Sequence, residues 1–431
     1  MPQEKIIQQF FFFNLIVSSI IYLILFFSAR LISEFFSEPS LIPVLRVLTL
    51  IIIINGFNII PETILVKKVD FKTQAKVSLI SNLISGLMAI YLVFSGFGIW
   101  SLVLYNLSAS FFKSLLLWFY TRWFPLLIFK IKSFKDLFNF GSKLLVSGLI
   151  DTISNNITPL LIGRFYTTED LGYYTNANNI KSLIRSLITS SVQRVTYPVL
   201  SSIQDNPSIL TMGFKKIIKL TMFFTFPLML GLAILAEPLF FIVLGEQWLP
   251  SVIYFQLLCF VGMLYPLHAI NLNILKVAGR SDLFLRLEIY KKLIYALILF
   301  LFLFFYFEIV GLIYAAICSS ILSYFLNSYY SGKFGGYSMK EQIRDIFPFF
   351  FYTLIMVASI MLIEIYFLSA YDYFIRLIIG AILGFFIYII LCKIFSSEDF
   401  KIFVLNLKDF YKQALEIKDK LTNKKDGASE C

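Results

Sequence analysis

The chain has 431 residues, of which 59% are hydrophobic and 18% aromatic, while only 15% are charged. Its mean hydropathy of +0.82 excludes a water-soluble globular protein and is typical of an integral membrane protein. The net charge is +11, and the four cysteines have no metal-ligand or redox spacing, so we expect no disulfide, no metal site and no cofactor.

Apolar runs of membrane-spanning length recur along most of the chain. A helix needs about 20 residues to cross about 30 Å of hydrocarbon. The first run lacks a small-residue cleavage site, so we predict that it remains a span rather than a signal peptide. The sequence predicts twelve spans, approximately at residues 6–28, 40–64, 77–96, 99–122, 138–162, 173–198, 214–236, 248–274, 285–306, 308–329, 346–367 and 371–395.

The basic residues are concentrated in alternate loops. Lysine and arginine clusters follow the second, fourth, sixth, eighth and tenth runs, whereas the other loops hold only Arg30, Arg164 and Arg376. This alternation satisfies the positive-inside rule and predicts a multi-pass protein with both termini cytoplasmic. It also indicates contact with anionic membrane lipids and no nucleic-acid partner.

Two neighbouring runs carry ionisable side chains within the predicted membrane. Asp151 lies in the run 138–162, and Lys181 and Arg185 lie in the run 173–198. Ionised groups at this depth are costly and are therefore candidates for function. Three- and four-residue spacing places each set on one helical face. The first set is Ser147, Asp151, Asn155 and Thr158, and the second is Asn178, Lys181, Arg185, Thr189 and Gln193.

A hairpin turning near Thr168 would place Asp151 level with Arg185 and Asn155 level with Lys181. The two helices would then share a charged, hydrated seam. The sequence predicts a substrate-binding site there, and the alternative is a buried ion pair that only holds the two helices together.

Other polar side chains in the runs define a possible secondary cavity, formed by Asn58, Asn106, Lys113 and His268. Lys113 has an alternative, which is to extend along its helix to the inner surface. His268 is either a proton switch or a hydrogen-bonded packing residue. Four charged residues near helix ends are predicted to extend to the membrane surface, namely Arg46, Glu62, Arg194 and Glu364.

A weak internal repeat links the segment ARLISEFFSEPSLIPVLRVL, from Ala29, with AEPLFFIVLGEQWLPSVIYFQLL, from Ala236. The repeat matches runs one to four with runs seven to ten in parallel orientation, as in transporters built from two similar halves. It predicts an incomplete N-terminal lobe of four helices at 1–136 and a C-terminal lobe of six helices at 137–330. A terminal helix pair at 331–395 and a cytoplasmic amphipathic tail at 396–431 complete the prediction.

Several segments carry a resemblance to a known family. The longest is FGSKLLVSGLIDTISNNITPLLIGRFYTTEDLGYYTNANNIKSLIRSLITSSVQRVTYPVLSSIQDN, at 140–206, and others are FFSEPSLIPVLRVLTL at 35–50, GFGIWSLVLYN at 96–106 and the segment 246–292. They resemble the Wzx-type polysaccharide flippases of the multidrug/oligosaccharidyl-lipid/polysaccharide exporter superfamily. The resemblance implies an all-α, polytopic, two-lobed MATE-like transporter fold with about 12 helices, in which the family's first two helices are missing.

The function that the resemblance implies is not enzymatic. Such proteins move polyprenyl-pyrophosphate-linked oligosaccharide from the cytoplasmic to the outer leaflet of the bacterial inner membrane by alternating access. The product serves lipopolysaccharide or other surface polysaccharide, and other polysaccharide-assembly membrane proteins are possible partners. Lys181 and Arg185 would attract the pyrophosphate, and Asp151 would hold Arg185 or accept a coupling proton. Asn155, Asn178 and Gln193 would bind sugar hydroxyls.

Three alternatives stay open at this point. One is a non-transporting remnant, or a gene start placed at an internal methionine. Another is a small-molecule exporter on the same fold, which would use acids to capture cations. The third is a membrane enzyme acting on polyprenyl-linked glycans, which needs larger outer loops than these.

Overall fold

A computed structural model describes residues 2–125, 148–149, 152–305 and 308–395, without the side chains of residues 2–9 and 195. The described secondary structure is helical, and no strand occurs in these ranges. The helices are α1 (Pro2–Phe36), α2 (Leu41–Leu48), α3 (Leu50–Lys67), α4 (Phe71–Phe94), α5 (Ile99–Thr121), α6 (described over 152–165), α7 (Thr168–Ser202), α8 (Pro207–Ile234), α9 (Ala236–Leu244), α10 (Ser251–Val277), α11 (Ser281–Phe305), α12 (Ile309–Gly335), α13 (Met339–Ile363) and α14 (Tyr373–Phe395).

Nine helical segments among the described residues are long and apolar enough to cross a membrane. They comprise α1, the α2–α3 segment, α4, α5, α8, α10, α12, α13 with the π-helical turn Glu364–Leu368, and α14. α7 and α11 have 35 and 25 residues, so they are as long as the spans, but α7 is much less apolar and α11 carries five charged residues in its first half. The predicted tail at 396–431 and residues 126–147 lie outside the described part of the chain.

The helix starts reproduce the internal repeat. α2, α4 and α5 begin at residues 41, 71 and 99, whereas α10, α11 and α12 begin at 251, 281 and 309, a constant offset of 210 residues. α8 followed by α9 occupies the place that the long helix α1 has in the first copy. The same order and spacing of helices therefore occurs twice, as the sequence repeat predicts.

The chain divides into two compact units, residues 1–165 and 166–431. In the first unit, α3 packs against α1 and α5, and α5 packs against α4. Its buried cluster joins Leu65, Val77 and Leu117 from three helices. The predicted boundaries at 136 and 330 stay predictions.

The second unit has the larger core, built around α8. Phe214, Met222 and Met229, spaced about two turns apart on this helix, are fully buried. They pack against the apolar faces of α10 and α13. α10 also packs against α7 and α12, so it lies between the helix that carries the predicted basic residues and an apolar helix with several buried serine and asparagine side chains. This placement of α10 determines the surroundings of the candidate site.

Candidate functional site

The helix that carries the predicted basic residues begins at a well-formed cap. Thr167 Oγ1 accepts a hydrogen bond from the Asp170 backbone N–H at 3.1 Å, and the Asp170 carboxylate accepts one from the Thr167 N–H at 3.3 Å. This reciprocal capping box satisfies backbone donors that the helix leaves free, and two acids lie in the first turn. The chain therefore breaks between α6 and α7 at residues 166–167, where the sequence predicted a turn.

Lys181 is buried, with 6% of its surface exposed. Its side chain lies across α10 at Gly262, where an added β-carbon would be 3.3 Å from Lys181 Cγ and 3.5 Å from Cδ. Among the described residues, no carboxylate lies within 4.0 Å of its ammonium group and no side chain or carbonyl accepts a hydrogen bond from it. A buried charge without a counter-charge is costly, so an anion that entered here would be stabilised.

Arg185 follows one helical turn later on α7. Its guanidinium carbon lies 4.2 Å from the centroid of the Tyr265 ring on α10, within cation–π distance. Within the described ranges it forms no salt bridge with a carboxylate. Two like charges four residues apart on a helix repel each other. The two cations therefore contact α10, and no carboxylate among the described residues neutralises them.

The other predicted site residues differ in their placement. Asn178 is half-buried and precedes Lys181 by one turn, whereas Gln193 lies on an exposed part of α7. Asn155 is exposed on α6 in the first unit, and Asp151 lies outside the described residues. The structure thus brings Asn178, Lys181 and Arg185 together within two turns of α7. The pairing of Asp151 with Arg185 and of Asn155 with Lys181 stays a prediction.

Sequence reasoning did not identify the contribution of α10 to this site. Gly262 and Tyr265 lie in an apolar helix, where nothing in the sequence marked them as site residues. α10 continues through Pro266 as one helix. The available signal in the sequence was the glycine itself, because a glycine within an apolar helix permits the close approach of a neighbouring chain.

His268 lies in a polar contact between α10 and α12. The Asn327 amide nitrogen lies 3.3 Å from His268 Nδ1, and His268 Nε2 lies 3.1 Å from Ser320 Oγ. An amide nitrogen donates, so Nδ1 accepts and Nε2 carries the proton that is donated to Ser320. Both ring nitrogens are therefore used in joining two helices, which favours a packing role over a proton switch. In the 210-residue repeat, His268 corresponds to Asn58.

The remaining secondary-cavity candidates lie in the first unit. Asn58 is 3% exposed, and its amide nitrogen donates to Asn55 at 3.4 Å. Asn106 is exposed and donates to a carbonyl of its own helix at 2.9 Å. The Lys113 ammonium lies 3.1 Å from Glu62 Oε1. The secondary cavity formed by Asn58, Asn106, Lys113 and His268 stays a prediction.

Two of the four charged residues that were predicted to extend to the membrane surface, Glu62 and Glu364, have basic partners, and their extension to the surface stays a prediction. Glu62 pairs with Lys113, and Glu364 is 15% exposed and lies 2.6 Å from Arg376. A bound counter-ion removes the reason for a carboxylate to reach water. Pairing between helices is not visible in the sequence of one helix, so the sequence did not identify these partners.

The helical architecture and the nine candidate membrane spans among the described residues are those of a multi-pass membrane protein with a MATE-like transporter fold. Among solved structures, the lipid II flippase MurJ in an inward closed conformation is similar, with a TM-score of 0.74 and 16% sequence identity. The match covers 92% of this chain and 85% of that one. At this identity the likeness concerns the fold alone.

A profile of the family described as "Polysaccharide biosynthesis protein" matches residues 2–253, and the chain belongs to this family. The teichuronic acid biosynthesis protein TuaB of Bacillus subtilis (strain 168) is 29% identical over 300 residues, covering 69% of this chain and 62% of TuaB. The lipopolysaccharide biosynthesis protein WzxC of Escherichia coli (strain K12) is 24% identical over 332 residues, covering 73% of this chain and 65% of WzxC. The chain therefore spans less than two thirds of either relative. The predicted resemblance to Wzx-type proteins is confirmed.

Proposed function

We propose that this protein is a non-catalytic flippase that moves a polyprenyl-pyrophosphate-linked oligosaccharide from the cytoplasmic to the outer leaflet of a bacterial inner membrane. The product would supply the synthesis of a surface polysaccharide. The family membership, the two biosynthetic relatives and the fold shared with a lipid II flippase support this proposal. Alternating access between the two units, with both termini cytoplasmic, is the proposed mechanism.

One observation carries the proposal more than any other. Lys181 and Arg185 lie one turn apart on α7, and neither is neutralised by a carboxylate among the described residues. A pyrophosphate is an anion that hydrocarbon excludes, and it needs several donors with positive charge to leave water. This pair offers such donors within a helix of membrane-spanning length.

The remaining residues of the predicted site have supporting roles in the proposal. Asn155, Asn178 and Gln193 would donate to and accept from sugar hydroxyls. Asp151 would hold Arg185 while the site is empty, or would accept a coupling proton. The polyprenyl chain, which is apolar, would stay in the bilayer while the head group crosses.

A small-molecule exporter is the second candidate, because it uses the same fold. Export of cationic drugs would require a site lined with acids, whereas the described part of this site carries two bases. A glycan-modifying enzyme is a further candidate and would extend or cleave the substrate. Both make different predictions for a transport assay.

The test uses the full chain in liposomes loaded with a fluorescent oligosaccharide on polyprenyl pyrophosphate. Access of a membrane-impermeant quencher reports the crossing of the bilayer. We expect crossing to be faster than in protein-free liposomes, with the substrate chemically unchanged. A rate equal to that of protein-free liposomes would contradict the proposal, as a non-transporting remnant would give this result. A change in glycan length would instead indicate an enzyme.

A further inference from the structure

The basic pair on α7 depends on the neighbouring helix α10 for its position. Lys181 and Arg185 both contact α10, and the two contacting positions on α10, Gly262 and Tyr265, are three residues apart on one helical face. Neither α10 residue offers a charge. They therefore act by fixing the positions of the two cations.

We propose that Gly262 and Tyr265 are positioning residues of the anion site, an inference that rests on the proposed function. Gly262 leaves the space in which the Lys181 stem lies, and Tyr265 holds the Arg185 guanidinium by its ring face. Together they keep two cations in place without neutralising them.

The argument for Tyr265 concerns hydrogen-bond donors. A guanidinium has five N–H donors in its plane. A carboxylate partner would occupy two of them and cancel the charge. An aromatic ring at 4.2 Å binds through its face and accepts none of the strong in-plane hydrogen bonds. The donors of Arg185 therefore remain available to phosphate oxygens.

The argument for Gly262 concerns space. An added β-carbon would be 3.1 Å from Met229 Cε and 3.3 Å from Lys181 Cγ. Both neighbours are flexible side chains, so an alanine would displace them by a few tenths of an ångström and leave the backbone in place. The Lys181 stem would then shift by this amount against α10, and its ammonium group would move relative to Arg185.

The two roles are specific to this contact. Gly86 is also a helical glycine, on α4, but an added β-carbon there would meet nothing within 4 Å. Tyr265 is 39% exposed, so loss of its ring removes little buried area. Substitutions at Gly262 and Tyr265 therefore test position rather than folding.

The experiment measures the binding of inorganic pyrophosphate to the purified full chain at fixed ionic strength. We expect Tyr265→Phe to bind within twofold of the wild type, because the ring face is kept. Tyr265→Leu keeps an apolar side chain without the ring, and we expect about threefold to tenfold weaker binding. We expect a similar loss for Gly262→Ala and none for Gly86→Ala.

A double-mutant cycle separates positioning from general packing. If Tyr265 acts through Arg185, then Tyr265→Leu causes no further loss in an Arg185→Gln background. If the fold losses of the two single variants multiply in the double variant, the role of Tyr265 is wrong. If Gly262→Ala binds pyrophosphate as the wild type does, the role of Gly262 is wrong.

The same measurement distinguishes this inference from the proposed function. If Arg185→Gln and Lys181→Gln weaken binding but Tyr265→Leu and Gly262→Ala do not, the positioning inference is wrong and the anion site stands. If none of the four variants changes binding, or the wild type does not bind pyrophosphate, the anion site itself is wrong.

Discussion

Arg376 on α14 and Glu364 in the π-helical turn after α13 form a largely buried ion pair. The guanidinium Nη2 lies 2.6 Å from Glu364 Oε1, and the two side chains are 13% and 15% exposed. A second carboxylate, that of Glu237 on α9, lies 3.5 Å from the same nitrogen. The π-helical turn places Glu364 toward α14, so this pair fastens the terminal helices to each other and to α9.

Removal of one partner from this pair leaves the other charge buried. We expect Arg376→Met to destabilise the protein by about 3–5 kcal/mol, whereas Arg376→Met combined with Glu364→Leu recovers most of that loss. Thermal unfolding in detergent measures both. The matched control is Arg30→Met, because the Arg30–Glu34 pair is 78% and 60% exposed and should contribute no measurable stability. Equal effects at the two sites would contradict this account.

Close packing of α14 makes a second prediction. An added β-carbon at Gly380 would come within 2.5 Å of Leu235 Cδ2. We expect Gly380→Ala to cost about 1–3 kcal/mol of unfolding free energy, since the buried Leu235 side chain must change its position to admit the methyl group. The same substitution at Gly86, which faces open space, should not destabilise the protein. A stable Gly380→Ala protein would show that Leu235 can rotate away at little cost.

The contact between α10 and α12 makes a third prediction. His268→Ala leaves the fully buried Asn327 without its partner, and we expect a loss of about 1–3 kcal/mol. Asn106→Ala is the control, because its amide is exposed and donates only within its own helix. We also expect His268→Gln to flip substrate at close to the wild-type rate. A large loss of transport with unchanged stability would restore the proton-switch interpretation.

How much the sequence predicted depends on the distance over which an interaction acts. Lys181 and Arg185 were identifiable because a charge within an apolar run is costly wherever its partners lie. The helix order and the repeat were identifiable from hydropathy and spacing. These features are local or periodic. The helix starts of the two copies, which lie 210 residues apart, agree with the predicted repeat.

Contacts between helices were the part that sequence could not supply. α10 is apolar on most faces, so no periodicity indicates that Tyr265 meets α7 while His268, one turn later, meets α12. For the same reason, the sequence did not identify the pairing of Glu364 with Arg376 across a turn. Such pairings depend on which helix faces meet. The packing of several helices determines this, and the sequence of one helix does not.

The central claim is that Lys181 and Arg185 bind the pyrophosphate head group during transport. The most direct measurement compares flipping by the Lys181→Gln, Arg185→Gln double variant with flipping by Arg194→Gln, which removes an exposed charge from the same helix. Each charge-assisted hydrogen bond contributes about 1.5–3 kcal/mol, so the double variant should flip at least about 100-fold more slowly at equal protein in the membrane. Arg194→Gln should retain the wild-type rate. A double variant that flips as fast as Arg194→Gln would contradict the account.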